Sequence, residues 1–532
     1  MPNHLKPVYG KEIHMTVSTT KNDISTYKAK QIIHYSNWQN IFLWGAVLAL
    51  VVIAIWMRLY HLGLPFDRDS YDEGVYWQTL RSMSAGNTLY QHIFYSQPPF
   101  FILSTFPGYL LFGSSLWSAR LAIALVSLLG LLGAFLLGMA LSGRLGAIAA
   151  MLLLIVNPLY LAQSQTIEAE VSSTAFSLLA MGLAYLWWEH PEGTRSLFYA
   201  ALTGITVTLS ILCKLLSVSI LVPIALLMLA RLWQIWHKQP GMRLIGLLPI
   251  FVGIAACILT FVVLLLPFSG SYQSMLQSVI TFHSNAAQVF SSTQQTNFST
   301  IQGALTSLLP LTALYGIVAA LLRRDWRVIP LIAWLLATLY LLWHQVPLFP
   351  HHLVALTPPL IALAVIAIGK PVVQNKYISG GLMHRMTRVI FWIAIVLILV
   401  TAILNVQQDR LYYRSAEASS VSGISQLESR VASDLRKAIA PYQLVVTDDQ
   451  FIAGLADRTT PPALVDTSAV RISSGNLTLS QLESATSQPQ VRAVLFFTGR
   501  FHLPNVARFH AWVAQNFHLL HNYGAGRELW VR

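Results

Sequence analysis

Two acidic residues, Asp72 and Glu73, stand side by side about a dozen residues after an apolar run that ends at Arg58. Acid is scarce in this chain, which has 21 Asp and Glu among 532 residues. If a helix begins here, its dipole favours Asp72 as the anion, which suits a general base near neutral pH. The alternative is that Asp72 caps the helix and Glu73 is solvated.

The spacing of the following residues predicts the helix itself. Asp72, Tyr76, Leu80 and Met83 fall on one face, and Gly86 is available as a terminator. We expect this helix to lie at the membrane interface with that face toward the lipid.

A second acidic pair, Glu168 and Glu170, opens a later apolar run in "SQTIEAEVSSTAF". Such residues can simply complement a helix dipole, but in an acid-poor membrane half they indicate a functional site. If they face Asp72 across a cleft, the carboxylates could orient a polar acceptor or hold Mg²⁺ or Mn²⁺. For such a cation we expect Asp72 and Glu170 as ligands.

Basic and imidazole groups stand at two further ends of apolar runs. Lys214 separates two runs in "SILCKLLS", where it could be a snorkelling lysine or a phosphate ligand. His351 and His352, in "LFPHHLVALTPP", could be packing residues or donors to a phosphate or a sugar hydroxyl. Their spacing does not predict a zinc site.

Membrane helices must position these residues. The chain is 55% hydrophobic and 10% charged, with a mean hydropathy of +0.58, which excludes an ordinary soluble globular protein. Apolar runs between residues 41 and 405 predict eleven spans. These are residues 41–58, 117–140, 145–162, 171–189, 197–213, 215–233, 244–267, 301–322, 328–346, 352–369 and 389–405. The run at 99–113 is short and contains Pro107, so we interpret it as an interfacial helix.

The distribution of basic residues predicts the orientation. The formal charge is +13, but the basic residues cluster between spans, so we expect a membrane partner and no nucleic acid. The positive-inside rule places residues 1–38 in the cytoplasm as a tail. It makes 39–406 a transmembrane domain with a long first outer loop, 59–116, and puts residues 407–532 outside. We expect a multi-pass protein of the plasma (inner) membrane, with its polar residues collected on the outer side.

Residues 407–532 predict a small α/β domain. A helix is expected near 424–439, strands at "YQLVVTDD" and "VRAVLFFTG", a helix near 505–516 and a terminal strand "GRELWVR". No Gly-rich phosphate loop follows either strand, so we interpret the domain as a cap or an acceptor-docking module.

The stretch "DEGVYWQTLRSMSAGNTLYQHIFYSQPPFF", followed by "GSSLWSARLAIAL", resembles the first outer loop of the GT-C glycosyltransferases. The protein O-mannosyltransferases and lipid A aminoarabinose transferases, the family 39-like group, show an acidic pair, a Met/Gly step, an aromatic before Pro-Pro and an arginine opening a span. This sequence supplies Asp72 with Glu73, Met83 with Gly86, Tyr95 before Pro98 and Pro99, and Arg120.

The resemblance continues in order over most of residues 60–370, and it includes departures. Glu168 or Glu170, with Glu170 preferred, matches an acidic residue that opens a later span, and Lys214 matches a lysine after it. His351, with its neighbour, stands where relatives carry an arginine, and Gln97 stands where the aminoarabinose enzymes carry a lysine.

The resemblance implies a membrane glycosyltransferase that uses a polyprenyl-phosphate sugar and a hydroxyl acceptor on a protein, lipid or glycan. Asp72 would deprotonate the acceptor and give inversion in one displacement. Glu73 would orient the base, and Tyr76, Tyr95 and Gln97 would contact donor or acceptor. The charge on the leaving lipid phosphate would be stabilised by Lys214, His351, His352 and Arg120 or by a metal.

A transporter or flippase is the alternative from another class, because many spans with a few charged residues also describe one. Such a protein places ionisable residues near the bilayer midplane and often has repeated halves. This sequence places its charges at span ends and shows no convincing repeat. A scaffold for the outer domain would leave the first-loop motif unexplained.

Overall fold

The computed structural model describes residues 20–66, 71–237, 240–369 and 381–532. The chain divides into two compact units, Met1–Ala49 and Leu50–Arg532. Every contact described below lies within the second unit. Of the predicted tail, residues 1–19 lie outside the described part, and the backbone is helical from Thr20.

The membrane half is built from helices. They are α1 (Thr20–Leu59), α2 (Asp72–Ser84), α3 (Phe100–Leu111), α4 (Leu116–Ile155), α5 (Pro158–Gln163), α6 (Ala169–Glu189), α7 (Gly193–Cys213), α8 (Leu221–Trp236), α9 (Pro240–Leu265), α10 (Tyr272–Leu276), α11 (Phe282–Val289), α12 (Gln294–Leu305), α13 (Leu308–Leu322), α14 (Val328–His344), α15 (Thr357–Ile366) and α16 (Gly381–Ser420). In the described part, seven helical stretches are long and apolar enough to cross a membrane, and α12 with α13, bent by 78°, would make an eighth. The prediction of a polytopic helical membrane fold is confirmed.

The individual predicted spans agree only in part with the helices in two places. The runs at 117–140 and 145–162 match two helices that meet within α4 at Gly143, where φ is 66° and ψ is −155°. The chain folds back there so that Gly138 faces Gly146, and the second run continues across a break at Asn157 into α5. The run at 352–369 begins as a 3-10 segment, Pro350–Leu356, before α15. α14 has 17 residues, which is short for a span. The number of crossings therefore stays a prediction.

The helix predicted at Asp72 is present and ends where the sequence indicated. α2 runs to Ser84, and Gly86 has a φ of 88°, a left-handed conformation that favours glycine. The expectation that one face lies on lipid is wrong. Leu80 is fully buried, and Tyr76 packs edge-on against Phe101 at a centroid distance of 5.0 Å. The rest of the protein covers this face.

The C-terminal part forms the predicted α/β domain around a four-stranded sheet. Its helices are α17 (Gly423–Ala438), α18 (Gln450–Leu455), α19 (Ala469–Ser473), α20 (Leu479–Thr486) and α21 (Phe509–Asn516), and its strands are β1 (Leu444–Thr447), β2 (Val491–Phe496), β3 (His518–Gly524) and β4 (Arg527–Val531). The strand order is β1-β2-β4-β3, with β1 and β2 parallel and the other pairs antiparallel. Strand β3 was not predicted. The predicted domain boundary at 406 falls inside α16, which continues to Ser420.

The C-terminal domain packs directly on α2. The buried Gln78 amide donates to the carbonyls of Gln450, at 3.4 Å, and Arg458, at 3.0 Å. Its oxygen accepts from the Thr460 backbone N–H at 3.2 Å. A Cβ on Gly74 would lie 2.6 Å from the backbone nitrogen of Phe451, so only glycine fits at this contact. α2 is therefore held against the C-terminal domain along one face.

Candidate active site

A cavity of about 670 Å³ is lined by residues of the membrane helices, the first outer loop and the C-terminal domain. Six predicted site residues line it: Asp72, Tyr76, Gln97, Lys214, His351 and His352. They come from distant parts of the chain, so the fold collects them at one place.

Asp72 opens α2 and keeps 37% of its side chain exposed within this cavity. Its carboxylate lies 3.9 Å from Nε2 of His351. Burial raises the pKa of the Asp72 carboxyl above its usual range, while the positive charges of His351 and Lys214 oppose the rise. A carboxylate with a raised pKa and an open approach is suited to accept a proton.

Glu73 has a different environment. The fully buried Arg120 forms a bidentate ion pair with the Glu73 carboxylate. Its Nε donates to Oε1 at 2.7 Å, and its Nη2 donates to Oε2 at 2.6 Å. The Ile167 backbone N–H also donates to Oε1, at 3.1 Å. The Nη1 atom of Arg120 donates to the backbone carbonyls of Leu62 and Leu64. The structure thus places Glu73 and Arg120 in a buried structural pair outside the cavity lining.

Glu170 is the acidic residue that joins the basic groups. Lys214, which follows the last residue of α7, donates to its Oε1. The Nε2 atoms of His351 and His352 lie 3.6 and 3.7 Å from the same oxygen. Both histidines stand in the 3-10 segment before α15, where Pro350 begins the turn.

Glu168 lies two residues before Glu170 and is fully buried as the residue that precedes α6. With Asp72 and His351 it forms one group whose ligand atoms lie within 4.8 Å of one another, and Glu170 with both histidines forms another. Mixed carboxylate and imidazole donors suit Zn²⁺ or Mn²⁺ better than Mg²⁺. Because Lys214 already occupies the Glu170 oxygen, the group that contains Asp72 fits a cation better. The predicted ligands Asp72 and Glu170 fall in different groups.

The aromatic and amide residues of the first loop lie around Asp72. Tyr76 is 3% exposed and packs edge-on against Tyr95 at 6.2 Å between ring centroids. Tyr95 is buried behind it and does not line the cavity. The Gln97 side chain lines the cavity, while its backbone carbonyl accepts from the Tyr90 hydroxyl at 2.7 Å.

The chain is similar to one protein family and to several solved structures. Residues 96–259 match the family model described as dolichyl-phosphate-mannose-protein mannosyltransferase. ArnT from Cupriavidus metallidurans, bound to undecaprenyl phosphate, aligns with a TM-score of 0.55 at 14% identity, over 93% of this chain and 98% of that chain. Its apo state gives a TM-score of 0.56 at 13% identity, with the same coverage. This chain has a fold similar to that of ArnT.

A solved structure of a second kind of protein aligns as well. The oligosaccharyltransferase AglB from Archaeoglobus fulgidus, in complex with an inhibitory peptide and a dolichol-phosphate, gives a TM-score of 0.52 at 15% identity. The alignment covers 90% of this chain and 71% of that chain. No curated protein sequence matches this chain significantly. The resemblance predicted from the first outer loop is confirmed in the family match and in the fold.

The cavity also contains residues that sequence reasoning missed. Asp466, Ser468 and Arg500 line it from the C-terminal domain, and His283 and Gln163 line it from the membrane half. A signal was present for Arg500, because it follows strand β2 closely, and ligands of α/β sheets bind at the carboxyl ends of parallel strands. Arg500 does not belong to a Gly-rich loop, which was the only kind of ligand site considered for this domain.

Proposed function

We propose that this chain is a membrane glycosyltransferase that moves a sugar from a polyprenyl-phosphate donor to a hydroxyl acceptor. The main support for this proposal is the cavity around Asp72, where a partly exposed carboxylate shares the lining with Lys214, His351 and His352. The fold supports it, as do the polyprenyl phosphates bound to two proteins of similar fold.

In the proposed reaction, Asp72 takes the proton of the acceptor hydroxyl as its oxygen bonds to the anomeric carbon of the sugar. The bond from that carbon to the phosphate oxygen breaks on the opposite face, which inverts the configuration, and the lipid phosphate leaves. Lys214 and the two histidines stabilise its charge, an electrostatic contribution that works best where water is excluded. Glu170 holds these three groups together.

Glu73 and Arg120 take a positioning role in this scheme. Because both are buried and bound to each other, they hold α2 at the start of α4 rather than contact substrate. A divalent cation, if one takes part, would bind the group of Asp72, Glu168 and His351 and would lower the charge on the phosphate.

The test of this proposal is Asp72→Asn in cells that otherwise lack the protein. We expect the glycans added by the wild-type chain to disappear from the cell surface, measured by mass spectrometry, while the amount of folded protein is unchanged. General-base loss typically costs about 10²- to 10⁴-fold in rate. Asp457→Asn, which changes an exposed aspartate of the C-terminal domain, is the matched control. Full activity in Asp72→Asn would overturn the proposal.

We further propose that the acceptor side is extracytoplasmic, with the C-terminal domain outside and the amino terminus inside an inner or plasma membrane. The charge distribution between spans supports this orientation. Tyr442 is 81% exposed on the C-terminal domain, so Tyr442→Cys should react in intact cells with a maleimide that does not cross membranes. Thr194→Cys, at the exposed start of α7 on the predicted inner side, should stay unlabelled. The reverse pattern would refute the orientation.

A further inference from the structure

Arg500 is a cation of the cavity that the proposed reaction does not use. It stands in the C-terminal domain just after β2, in a short 3-10 segment that begins after Gly499. Gly499 has a φ of 83°, a left-handed conformation that turns the chain sharply at the strand end. Arg500 therefore leaves the sheet at its carboxyl edge and lines the cavity there.

The position matches a general rule for open α/β sheets. β1 and β2 are parallel, and Asp448 and Arg500 follow their carboxyl ends. Ligands of such sheets bind in the crevice outside these strand ends. Here that crevice forms part of the wall of the cavity that contains Asp72.

The guanidinium of Arg500 is held in place from two sides. Its Nη1 donates to the backbone carbonyl of Asp448 at 3.0 Å. Its central carbon lies 4.0 Å from the centre of the Tyr71 ring, a cation–π contact. The Tyr71 hydroxyl is itself bound to Thr467, whose backbone N–H donates to it at 2.8 Å. The side chain is thus preorganised, which lowers the entropic cost of binding a ligand.

The charge of Arg500 is not neutralised in the way that the charge of Lys214 is. Lys214 contacts the Glu170 carboxylate, whereas Arg500 has no carboxylate oxygen within 4.0 Å among the described residues. Asp466, an acidic residue of the same cavity lining, accepts from the Ser468 backbone N–H at 2.8 Å and has the buried Arg471 beside it. Among the described residues, Arg500 therefore lines the cavity without an ion-pair partner of its own.

We propose that Arg500 anchors a second anion subsite in the cavity, which binds a phosphate or carboxylate group of the acceptor. A planar guanidinium fixed at one nitrogen can offer its other N–H groups to two oxygens of such a group. The inference rests on the proposed function, because Lys214, His351 and His352 then hold the donor phosphate on the part of the lining that the membrane half supplies. The acceptor would be an anionic molecule with its reactive hydroxyl directed at Asp72.

The experiment measures binding to the purified full chain in detergent, with tryptophan fluorescence to follow thermal unfolding. The probes are undecaprenyl phosphate and inorganic phosphate, with chloride at equal ionic strength as the salt control. With undecaprenyl phosphate saturating, inorganic phosphate should still raise the melting temperature of the wild type. In Arg500→Gln its dissociation constant should rise about tenfold or more, the loss expected for one charge-assisted contact.

Matched variants separate this subsite from the donor site. Arg508→Gln, an exposed arginine of the same domain outside the cavity lining, should behave as the wild type. Lys214→Gln should weaken undecaprenyl phosphate binding and leave inorganic phosphate binding intact. Arg500→Lys keeps the charge and should retain part of the phosphate effect, which excludes a simple folding defect.

Three outcomes decide the proposal. Unchanged phosphate binding in Arg500→Gln would overturn the subsite. Competition between the two probes, with both weakened in Arg500→Gln, would assign Arg500 to the donor phosphate and overturn its assignment to the acceptor. If the wild type bound no undecaprenyl phosphate, the proposed function would fail, while the comparison of phosphate binding between wild type and Arg500→Gln would still test the subsite.

Discussion

Asp72 and Glu73 are neighbours in the chain and lie in opposite kinds of environment. Glu73 accepts three hydrogen bonds from Arg120 and Ile167 and is 3% exposed. Asp72 lies 3.9 Å from the Nε2 atom of His351 and opens into a cavity. A fully satisfied buried pair can hold two elements together, but it has no capacity left for a substrate. The difference supports a positioning role for Glu73 and the proposed role of general base for Asp72.

The largest effect on stability is expected from Glu73→Gln, which leaves the Arg120 charge buried without its partner. Breaking such a pair costs about 3–5 kcal/mol. Thermal unfolding in detergent should show a strongly lowered melting temperature, whereas Asp72→Asn should leave it unchanged. Equal melting temperatures for the two variants would remove the distinction between the two carboxylates.

Gly74→Ala tests whether docking of the C-terminal domain on α2 depends on close packing. The added Cβ would meet the Phe451 backbone at 2.6 Å, and overpacking of this kind costs about 1–3 kcal/mol. Gly303→Ala is the control, because a Cβ at this helical glycine meets nothing within 4 Å. We expect a lower melting temperature in the first variant alone. A wild-type melting temperature for Gly74→Ala would show that the contact adjusts freely.

The pH dependence of transfer sharpens the assignment of Asp72. As the base must be ionised, transfer should fall when the pH drops through the pKa of Asp72, which burial raises above the usual carboxyl range. His351→Gln removes a positive charge that opposes this rise, so the acidic limb should move to higher pH. The kcat/KM profiles of residual transfer in the two proteins give the comparison. A shift of the limb to lower pH would contradict the assignment.

The smallest effect is expected from a third ion pair of α2. Arg81 Nη2 lies 2.8 Å from Asp457 Oδ1, but Asp457 is 68% exposed. Exposed pairs contribute about 0–1 kcal/mol, so Asp457→Asn should change the melting temperature little. A loss as large as that of Glu73→Gln would mean that solvent exposure does not distinguish these pairs.

Much of the fold was predictable because it depends on local patterns. Helix α2 begins at the predicted Asp72, and the apolar runs correspond to helices. Strand β3 was missed although Gly524 and Gly526 mark the turn after it. Its residues alternate poorly between apolar and polar, and the strand is exposed along nearly its whole length. Local pattern also could not show that the two helices of α4 meet directly at Gly143, with almost no loop between them.

The sequence predicted several residues of the membrane half that belong to the candidate site. It did not predict which of them contact each other. Asp72, Lys214 and the two histidines were found because polar and charged residues are few in the membrane half and these stand at the predicted outer ends of its spans. The contact of Glu73 with Arg120 joins residues 47 positions apart, and a single sequence carries no signal for such a contact. Arg500 stands among many charged residues of a soluble domain, where its charge is not unusual.

Tyr71, Asp72 and Glu73 are consecutive, and each has a different environment: Tyr71 binds Thr467 of the C-terminal domain, Asp72 enters the cavity, and Glu73 binds Arg120 of α4. Successive residues of a helix point about 100° apart, so this division depends on register. One inserted residue between Asp72 and Gln78 would turn the two ends of α2 by about that angle relative to each other. The spacing along this helix therefore constrains the chain more tightly than the identity of any exposed residue on it.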